Sequence, residues 1–214
     1  MFDYIRFVFL ALLIIDSALN LFWHKHGNLT KALLLPLIAA YYLASAGSPD
    51  PLLVAALAAS WLGDVLLMKP SNAWFTAGGI SFMLAHFLFI AVYALRIDFS
   101  LVKWGFVVPA VIIYYGVSAV IIYMLKSNTP KAMVVPMYIY LLANSTMNIF
   151  SLMNLTCNPC AASLIAYLGA VLFFISDCSL FIVRFHGRFK SFFVCMLTYI
   201  VGEFMIAQGI LMLG

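Results

Sequence analysis

Two aspartates lie within stretches otherwise apolar enough for lipid, and they are the residues of this sequence best suited to acid–base chemistry. Asp64 lies in SWLGDVLLM (60–68), and Asp177 lies in GAVLFFISDCSLF (169–181). A carboxylate in hydrocarbon costs about 2.5 kcal/mol or more, so such acids usually face a cavity, a partner or a substrate. Two acids in similar settings indicate a pair that serves either acid–base catalysis or proton coupling.

The two aspartates are predicted to lie at a similar depth in the membrane. Asp64 precedes Lys69 by five residues, and a helix rise of about 1.5 Å per residue puts it about 7 to 8 Å below the boundary that the lysine marks. Asp177 precedes Arg184 by seven residues, which puts it about 10 Å below the same boundary. The helices that carry them must therefore bring both acids to one level.

The composition is that of a membrane protein. Of 214 residues, 66% are hydrophobic and 8% are charged, and the mean hydropathy is +1.13. A water-facing surface would need far more polar residues. A span takes roughly 20 apolar residues, so the chain has room for about eight spans in one domain, residues 1–214. The first apolar run ends in WHKHGN without a small-residue cleavage site, so we interpret it as a retained helix.

The breaks between apolar runs carry turn residues, for example AGSPDP at 46–51 and CNPC at 157–160. They predict an all-α polytopic protein, a bundle of eight transmembrane helices with a polar intramembrane cavity that opens toward the cytoplasmic side. The predicted helices are 4–23, 30–46, 50–68, 73–95, 103–125, 131–153, 161–184 and 190–213.

Basic residues predict the orientation. Eight lie in or beside alternate loops: Lys25, Lys31, Lys69, Lys126, Lys131, Arg184, Arg188 and Lys190. The other side has Arg6, Arg96 and Lys103. The positive-inside rule therefore predicts that both termini lie outside the cytoplasm. Because the basic residues are spread over several loops, we expect no nucleic-acid partner. The sequence also indicates no obligate protein partner.

Polar residues at helical spacing indicate a polar core around the acids. Tyr140, Asn144 and Asn148 recur every four residues in the sixth predicted helix, which puts them on one face. The other candidates lie on four more helices: Asp16 and Asn20, Ser60, His86, and Tyr199 with Glu203. Asparagine and serine also serve as interhelical hydrogen-bonding groups, and a single histidine is commonly a core residue. Both interpretations stay open for these residues.

The sequence predicts neither a metal site nor a cofactor. The histidines lack the spacing of a metal site, and HKH at 24–26 falls in a loop. Cys157 and Cys160 form a single CxxC, which is weak evidence for metal binding or redox chemistry. On the predicted outer side the two thiols could form a disulfide if that side is oxidising. Cys178 and Cys195 lie inside helices, where cysteine packs as a small apolar residue.

The motifs of this chain resemble those of the YhhN family of multi-span membrane proteins, whose characterised animal members are lysoplasmalogenases. The resemblance extends over nearly the whole chain. It rests on TKALLLPLIAAYY (30–42), SWLGDVLLM (60–68), SFMLAHFLFI (81–90), Tyr140 with Met147, GAVLFFISDCSL (169–180), and Thr198 with Tyr199. Two positions depart from the family pattern, because Glu203 stands where glutamine is expected and Ala32 where proline is common.

The resemblance implies hydrolysis of the vinyl ether of a lysoplasmalogen, a lysophospholipid taken from the bilayer, to a fatty aldehyde and a glycerophospho-base. Protonation of the alkene carbon gives an oxocarbenium ion that water attacks, so one carboxyl must be protonated and one ionised. Asp64 and Asp177 are the expected catalytic pair, with the acid and the base unassigned. The expected substrate-binding residues are Asn20, Lys31, Ser60, His86, Tyr140, Asn144, Tyr199 and Glu203. The expected location is the inner (plasma) membrane of a bacterium.

Two other classes of membrane protein also use intramembrane acids. An intramembrane aspartyl protease would need GxGD, but Trp61 occupies the place of the first glycine. A transporter or lipid-binding protein would use Asp16, Asp64, Asp177 and Glu203 for proton coupling. The sequence leaves the transporter or lipid-binding protein as the main alternative to the hydrolase.

Overall fold

The computed structural model describes residues 2–22, 27–186 and 192–214, and over these ranges the chain is all-α, without strands. Its helices are α1 (Phe2–Phe22), α2 (Gly27–Ser45), α3 (Pro51–Leu67), α4 (Asn72–Ala94), α5 (Trp104–Leu125), α6 (Lys131–Cys157), α7 (Ala161–His186) and α8 (Phe192–Leu213). The all-α prediction is confirmed, and the predicted boundaries agree to within about one turn. The largest difference is at the end of α6, which continues past 153 because the first helix breaker is Pro159.

The surface of the bundle is apolar. Within the described ranges, five helices, α4 to α8, are long and apolar enough to cross a membrane. The apolar segments of the first three helices are shorter, at Phe7–Ala18, Lys31–Ser45 and Pro51–Leu67. Large side chains such as Ile112 and Phe106 are 69% and 67% exposed, which suits contact with lipid tails and not with water. The chain is therefore an integral membrane protein.

The helices alternate in direction, so their ends form two layers. We call the layer that contains Lys69, Lys126, Lys131 and Arg184 the basic end. There the Arg184 guanidinium donates to the Asn72 side chain, which joins α7 to the start of α4 at 2.8 Å. The other layer, which we call the opposite end, contains the α3 start, the α4 end and the α6–α7 connection.

At the opposite end, Asp50 joins α3 to α4. Its carboxylate accepts a hydrogen bond from the Leu52 amide, which caps α3 ahead of Pro51 in the first turn. The other carboxylate oxygen lies 2.8 Å from the Arg96 guanidinium, just past the end of α4. This ion pair fixes the two helices to one another at the end remote from Asp64.

Helices α7 and α8 approach each other closely because glycines line their contact. A Cβ at Gly202 would lie 2.9 Å from the Gly169 carbonyl oxygen, and one at Gly209 would lie 2.5 Å from the Ala166 nitrogen. Only glycine fits such a backbone approach, as in other small-residue helix contacts within membranes. The close packing sets the relative positions of Asp177 on α7 and of Tyr199 and Glu203 on α8.

Candidate functional site

Asp64 lies in the last turns of α3, and only 1% of its surface is exposed. Its Oδ1 lies 3.3 Å from the Lys31 ammonium near the start of α2, and its Oδ2 accepts a 2.6 Å hydrogen bond from the Tyr199 hydroxyl of α8. The glycine before it makes room for α4, because a Cβ at Gly63 would lie 2.5 Å from the Phe82 ring. Asp64 is therefore a buried carboxylate whose charge is balanced by a lysine.

Asp177 lies in α7 and is 4% exposed, and its partners are of a different kind. Its Oδ2 accepts hydrogen bonds from the Tyr140 hydroxyl at 2.7 Å and from the Asn144 amide at 2.6 Å. Nε2 of His86 lies 3.2 Å from the same oxygen. Asn148 donates to Oδ1 of Asn144 at 3.0 Å, which orients the Asn144 amide toward Asp177.

Two features of Asp177 bear on its chemistry. All three side-chain contacts converge on Oδ2, and no described residue forms a hydrogen bond with Oδ1. Among the described residues, no lysine or arginine forms an ion pair with it, in contrast to Asp64. The two aspartates thus have different electrostatic surroundings, as an acid and a base in one site require.

A cluster of aromatic rings connects the partners of the two carboxylates. The Phe173 ring centroid lies 5.7 Å from that of Tyr199, the Asp64 partner, and 5.0 Å from that of His86, the Asp177 partner. Phe82 packs on both Phe173 and Tyr199, at 6.2 and 5.9 Å. The two aspartates remain close enough to interact electrostatically. The partners of both aspartates thus border the same aromatic ring, Phe173.

Glu203 is a third acid beside this pair. It lies one turn beyond Tyr199 on α8, is fully buried, and is adjacent to the equally buried Ser60. It is within electrostatic range of both Asp64 and Asp177. Neither of its carboxylate oxygens forms a hydrogen bond of good geometry with any described residue.

An apolar groove of about 190 Å³ leads to the site from the basic end. It lies between α4, α6 and α7, and its walls include Met83, Met137 and Phe181. The Tyr140 side chain lines the groove and donates its hydroxyl hydrogen to Asp177. A chain lying in this groove would therefore have its inner end next to the Asp177 carboxyl.

Nine of the ten residues predicted for the site lie in or beside this buried core. They are Lys31, Ser60, Asp64, His86, Tyr140, Asn144, Asp177, Tyr199 and Glu203. The tenth, Asn20, lies in α1, but its side chain is outside the described part of the structure. His86 contacts Asp177 and is not an isolated core histidine. The sequence did not indicate that Phe82 and Phe173 contact residues of the site, because an apolar ring in an apolar helix gives no distinguishing signal.

The CxxC pair lies at the opposite end of the bundle, away from the acids. Cys157 and Cys160 are free thiols. The Cys157 sulfur contacts the Asp98 carbonyl at 3.2 Å, and Cys160 lies 3.4 Å from the Ser163 hydroxyl. The hydrogen bond with Ser163 lowers the pKa of the Cys160 thiol. Over the described ranges, no three side chains of His, Cys, Asp or Glu are grouped closely enough to hold a metal ion.

Comparison with known proteins identifies the family. No curated protein and no solved structure matches the chain. The sequence profile of the YhhN family matches residues 27–210. This range begins with α2 and ends within the last turns of α8, so it includes both aspartates and every partner described for them. The chain belongs to the YhhN family.

Proposed function

We propose that the protein is a hydrolase that cleaves the vinyl ether of lysoplasmalogens, the alkenyl glycerophosphoethanolamines and glycerophosphocholines, to a fatty aldehyde and a glycerophospho-base. One observation carries the proposal: two buried carboxylates lie within electrostatic range of each other, and among the described residues only Asp64 has a lysine partner. Membership of the YhhN family, which is associated with hydrolase activity, is consistent with it.

Asp177 is the proposed acid. Its Oδ1 carries the proton, while Oδ2 is held by Tyr140 and Asn144. The proton passes to the alkene carbon that is not bonded to oxygen, and the new C–H bond leaves an oxocarbenium ion. Glycosidases stabilise a related ion between two carboxyl groups. The Asp64 carboxylate, together with the Asp177 carboxylate left by the proton transfer, is proposed to stabilise this positive charge.

Asp64 is the proposed base. It takes a proton from water as the water oxygen bonds to the oxocarbenium carbon, which gives a hemiacetal. The hemiacetal then collapses: its hydroxyl proton leaves, the bond to the glycerol oxygen breaks, and that oxygen takes up a proton. The proton held by Asp64 returns to Asp177, so each turnover consumes one water. Ser60, His86, Tyr199, Glu203 and Asn20 are assigned to orienting water and the glycerol hydroxyls.

The substrate would enter from the leaflet at the basic end, which we take to face the cytoplasm of a bacterial inner membrane, with all eight helices spanning and both termini outside. The phosphate would lie near Lys31, Lys69 or Arg184, which are suited to binding an anion. The vinyl ether would reach the aspartates several Å deeper, and the alkenyl tail would lie in the apolar groove. The site would then form a polar cavity open to that side.

The direct test is incubation of the purified protein with a panel of lysolipids, with products measured by mass spectrometry. The panel comprises alkenyl, alkyl and acyl lysolipids with ethanolamine or choline head groups. We expect aldehyde and glycerophospho-base from the alkenyl lipids only. Release of fatty acid from the acyl lipid, or no product from any lipid, would contradict the proposal.

If the alkenyl tail binds in the groove, the affinity for substrate should depend on the length of that tail. A Cβ at Gly79 meets nothing within 4 Å, and this residue lines the groove, so the side chain of Gly79→Leu has open space at its Cβ and would occupy part of the groove. Losing burial of two methylenes at about 0.8 kcal/mol each should raise KM for a long-chain substrate about tenfold. A substrate too short to reach Gly79 should keep its KM.

The matched control for this variant is Gly116→Leu on α5. It makes the same change at another helical glycine with open space around it, outside the groove. We expect native kinetics for both chain lengths. If Gly79→Leu also leaves the long-chain KM unchanged, the alkenyl tail does not bind in the groove.

A transporter or lipid-binding protein is the second candidate, and Glu203 is the observation that favours it. A buried acid that makes no well-formed hydrogen bond with any described residue suits proton coupling. Proteoliposomes loaded with lysolipid and a pH indicator would separate the two functions. Movement of lipid or protons without aldehyde formation favours transport, and aldehyde release excludes it as the sole function.

A further inference from the structure

A second pocket, of about 520 Å³, lies at the opposite end of the bundle. Its lining includes Arg96, Asn154 and Asn158, together with Leu213 at the end of α8. Asn154 is fully buried, and neither its Oδ1 nor its Nδ2 forms a hydrogen bond with any described residue. Polar and apolar groups both line this pocket, whereas the groove at the basic end is almost entirely apolar.

Buried polar groups connect this pocket to the aspartates. Asn144, which hydrogen-bonds Asp177, belongs to a polar stripe on α6. The stripe continues through Asn148 and Ser151 to Asn154, and all four side chains are fully buried. Their spacing of three or four residues keeps them on one helix face. Ten residues separate Asn144 from Asn154, so the stripe extends about 15 Å along the helix axis.

The other helices add polar groups along the same stripe. Tyr93 of α4 is fully buried beside Ser151, within electrostatic range of Glu203 and Arg96. Glu203 of α8 lies beside Ser60 of α3. Tyr93 and Glu203 thus connect the surroundings of Arg96 with those of the aspartates. We call Ser60, Tyr93 and Glu203, together with the α6 stripe from Asn148 to Asn154, the polar column.

The polar column has eight buried side-chain atoms without a well-formed hydrogen bond to any described residue: Ser60 Oγ, Tyr93 OH, Asn148 Oδ1, Ser151 Oγ, Asn154 Oδ1 and Nδ2, and Glu203 Oε1 and Oε2. A buried polar group left without a partner costs about 1 to 3 kcal/mol. Several such groups side by side are the normal setting for ordered water, which makes about three hydrogen bonds at a buried site.

We propose that the polar column is a water path from the pocket at the opposite end to the Asp64–Asp177 pair. The inference deepens the proposed function, and its role in catalysis rests on that function: lipid enters through the apolar groove at one end, and the hydrolytic water enters from the other. The separation keeps the groove dry around the alkenyl tail. It also delivers water beside Glu203 and Asp64, the side on which the proposed base lies.

The test is X-ray radiolytic labelling of the full-length protein in lipid nanodiscs without substrate. Hydroxyl radicals form from water in place, so a buried ring is oxidised only where water lies next to it. Tyr93 and Phe89 are a matched pair, since both are fully buried on α4, one turn apart: Tyr93 is a member of the column beside Ser151, whereas Phe89 packs on the Phe173 ring. We expect Tyr93 to be labelled several times faster than Phe89, because ordered water in the column would lie next to the Tyr93 ring.

Equal labelling of Tyr93 and Phe89 would overturn the water path, and this comparison needs neither a variant nor any enzymatic activity. Asn154→Leu should reduce labelling of Tyr93 severalfold, whereas Asn154→Ser, which keeps a polar group, should preserve it. If Asn154→Leu folds and Tyr93 labelling is unchanged, water does not enter from this end.

Activity separates this inference from the proposed function. With the alkenyl lysolipid, we expect Asn154→Leu to lower kcat and leave KM unchanged, because the lipid groove lies at the other end of the bundle. A change in KM alone would contradict a role in water supply. If Tyr93 is labelled rapidly but the protein releases no aldehyde, the water path is supported and the proposed hydrolase activity is contradicted.

Discussion

Asp177→Asn should lower the rate of aldehyde release by about 10²- to 10⁴-fold, the usual contribution of a positioned acid or base. Asparagine keeps the shape of the side chain, and its carbonyl oxygen can still accept from Tyr140 and Asn144. The change therefore removes the transferable proton and leaves the packing of α6 against α7. Initial rates with an alkenyl lysolipid, measured by mass spectrometry, check the prediction.

Asp16→Asn is the control for this experiment. Asp16 is also a buried acid, 6% exposed, but it lies on α1 and its Oδ2 makes no hydrogen bond with any described residue. The same chemical change there should leave the rate within about twofold, as expected away from the reacting atoms. If folded Asp177→Asn protein retains more than a tenth of the native rate, Asp177 is not the acid.

Asp64→Asn should abolish aldehyde release and also destabilise the protein. The change leaves the Lys31 ammonium, whose side chain is 17% exposed, without its carboxylate partner. Breaking a largely buried ion pair by removing one partner costs about 3 kcal/mol or more. In a chain of this length that corresponds to a decrease of roughly 6 to 12 °C in Tm. Thermal unfolding in detergent and the aldehyde assay measure the two effects separately.

The double variant Lys31→Met/Asp64→Asn separates the structural role of Asp64 from its catalytic role. Replacing both partners removes the unpaired charge, so most of the lost Tm should return, as for other buried pairs replaced by apolar residues. Aldehyde release should stay absent because the base is missing. A double variant that recovers activity would show that Asp64 only neutralises Lys31, and one no more stable than Asp64→Asn would show that the ion pair does not stabilise the fold.

The positions of the helices could be predicted because the signals are local. Apolar runs of about 20 residues ended by turn residues such as Ser71, which accepts from the Trp74 amide, give the order of the elements. The end of α6 was predicted too early, since the absence of a breaker before Pro159 matters more than the polarity of its last turn. The similar depth of Asp64 and Asp177 also follows from counting residues along a helix.

The sequence by itself determined that two acids lie in apolar segments near the basic end, with a stripe of polar residues on a third helix, because helix rise and periodicity follow from the backbone alone. Only the tertiary structure decided that Lys31 pairs with Asp64 and that His86, Tyr140 and Asn144 converge on Asp177. It also decided that Phe173 contacts a partner of each aspartate, His86 and Tyr199. Helical spacing gives the face on which a side chain lies. It does not give the helix that packs against that face, because apolar surfaces that meet lipid and those that meet another helix have the same composition.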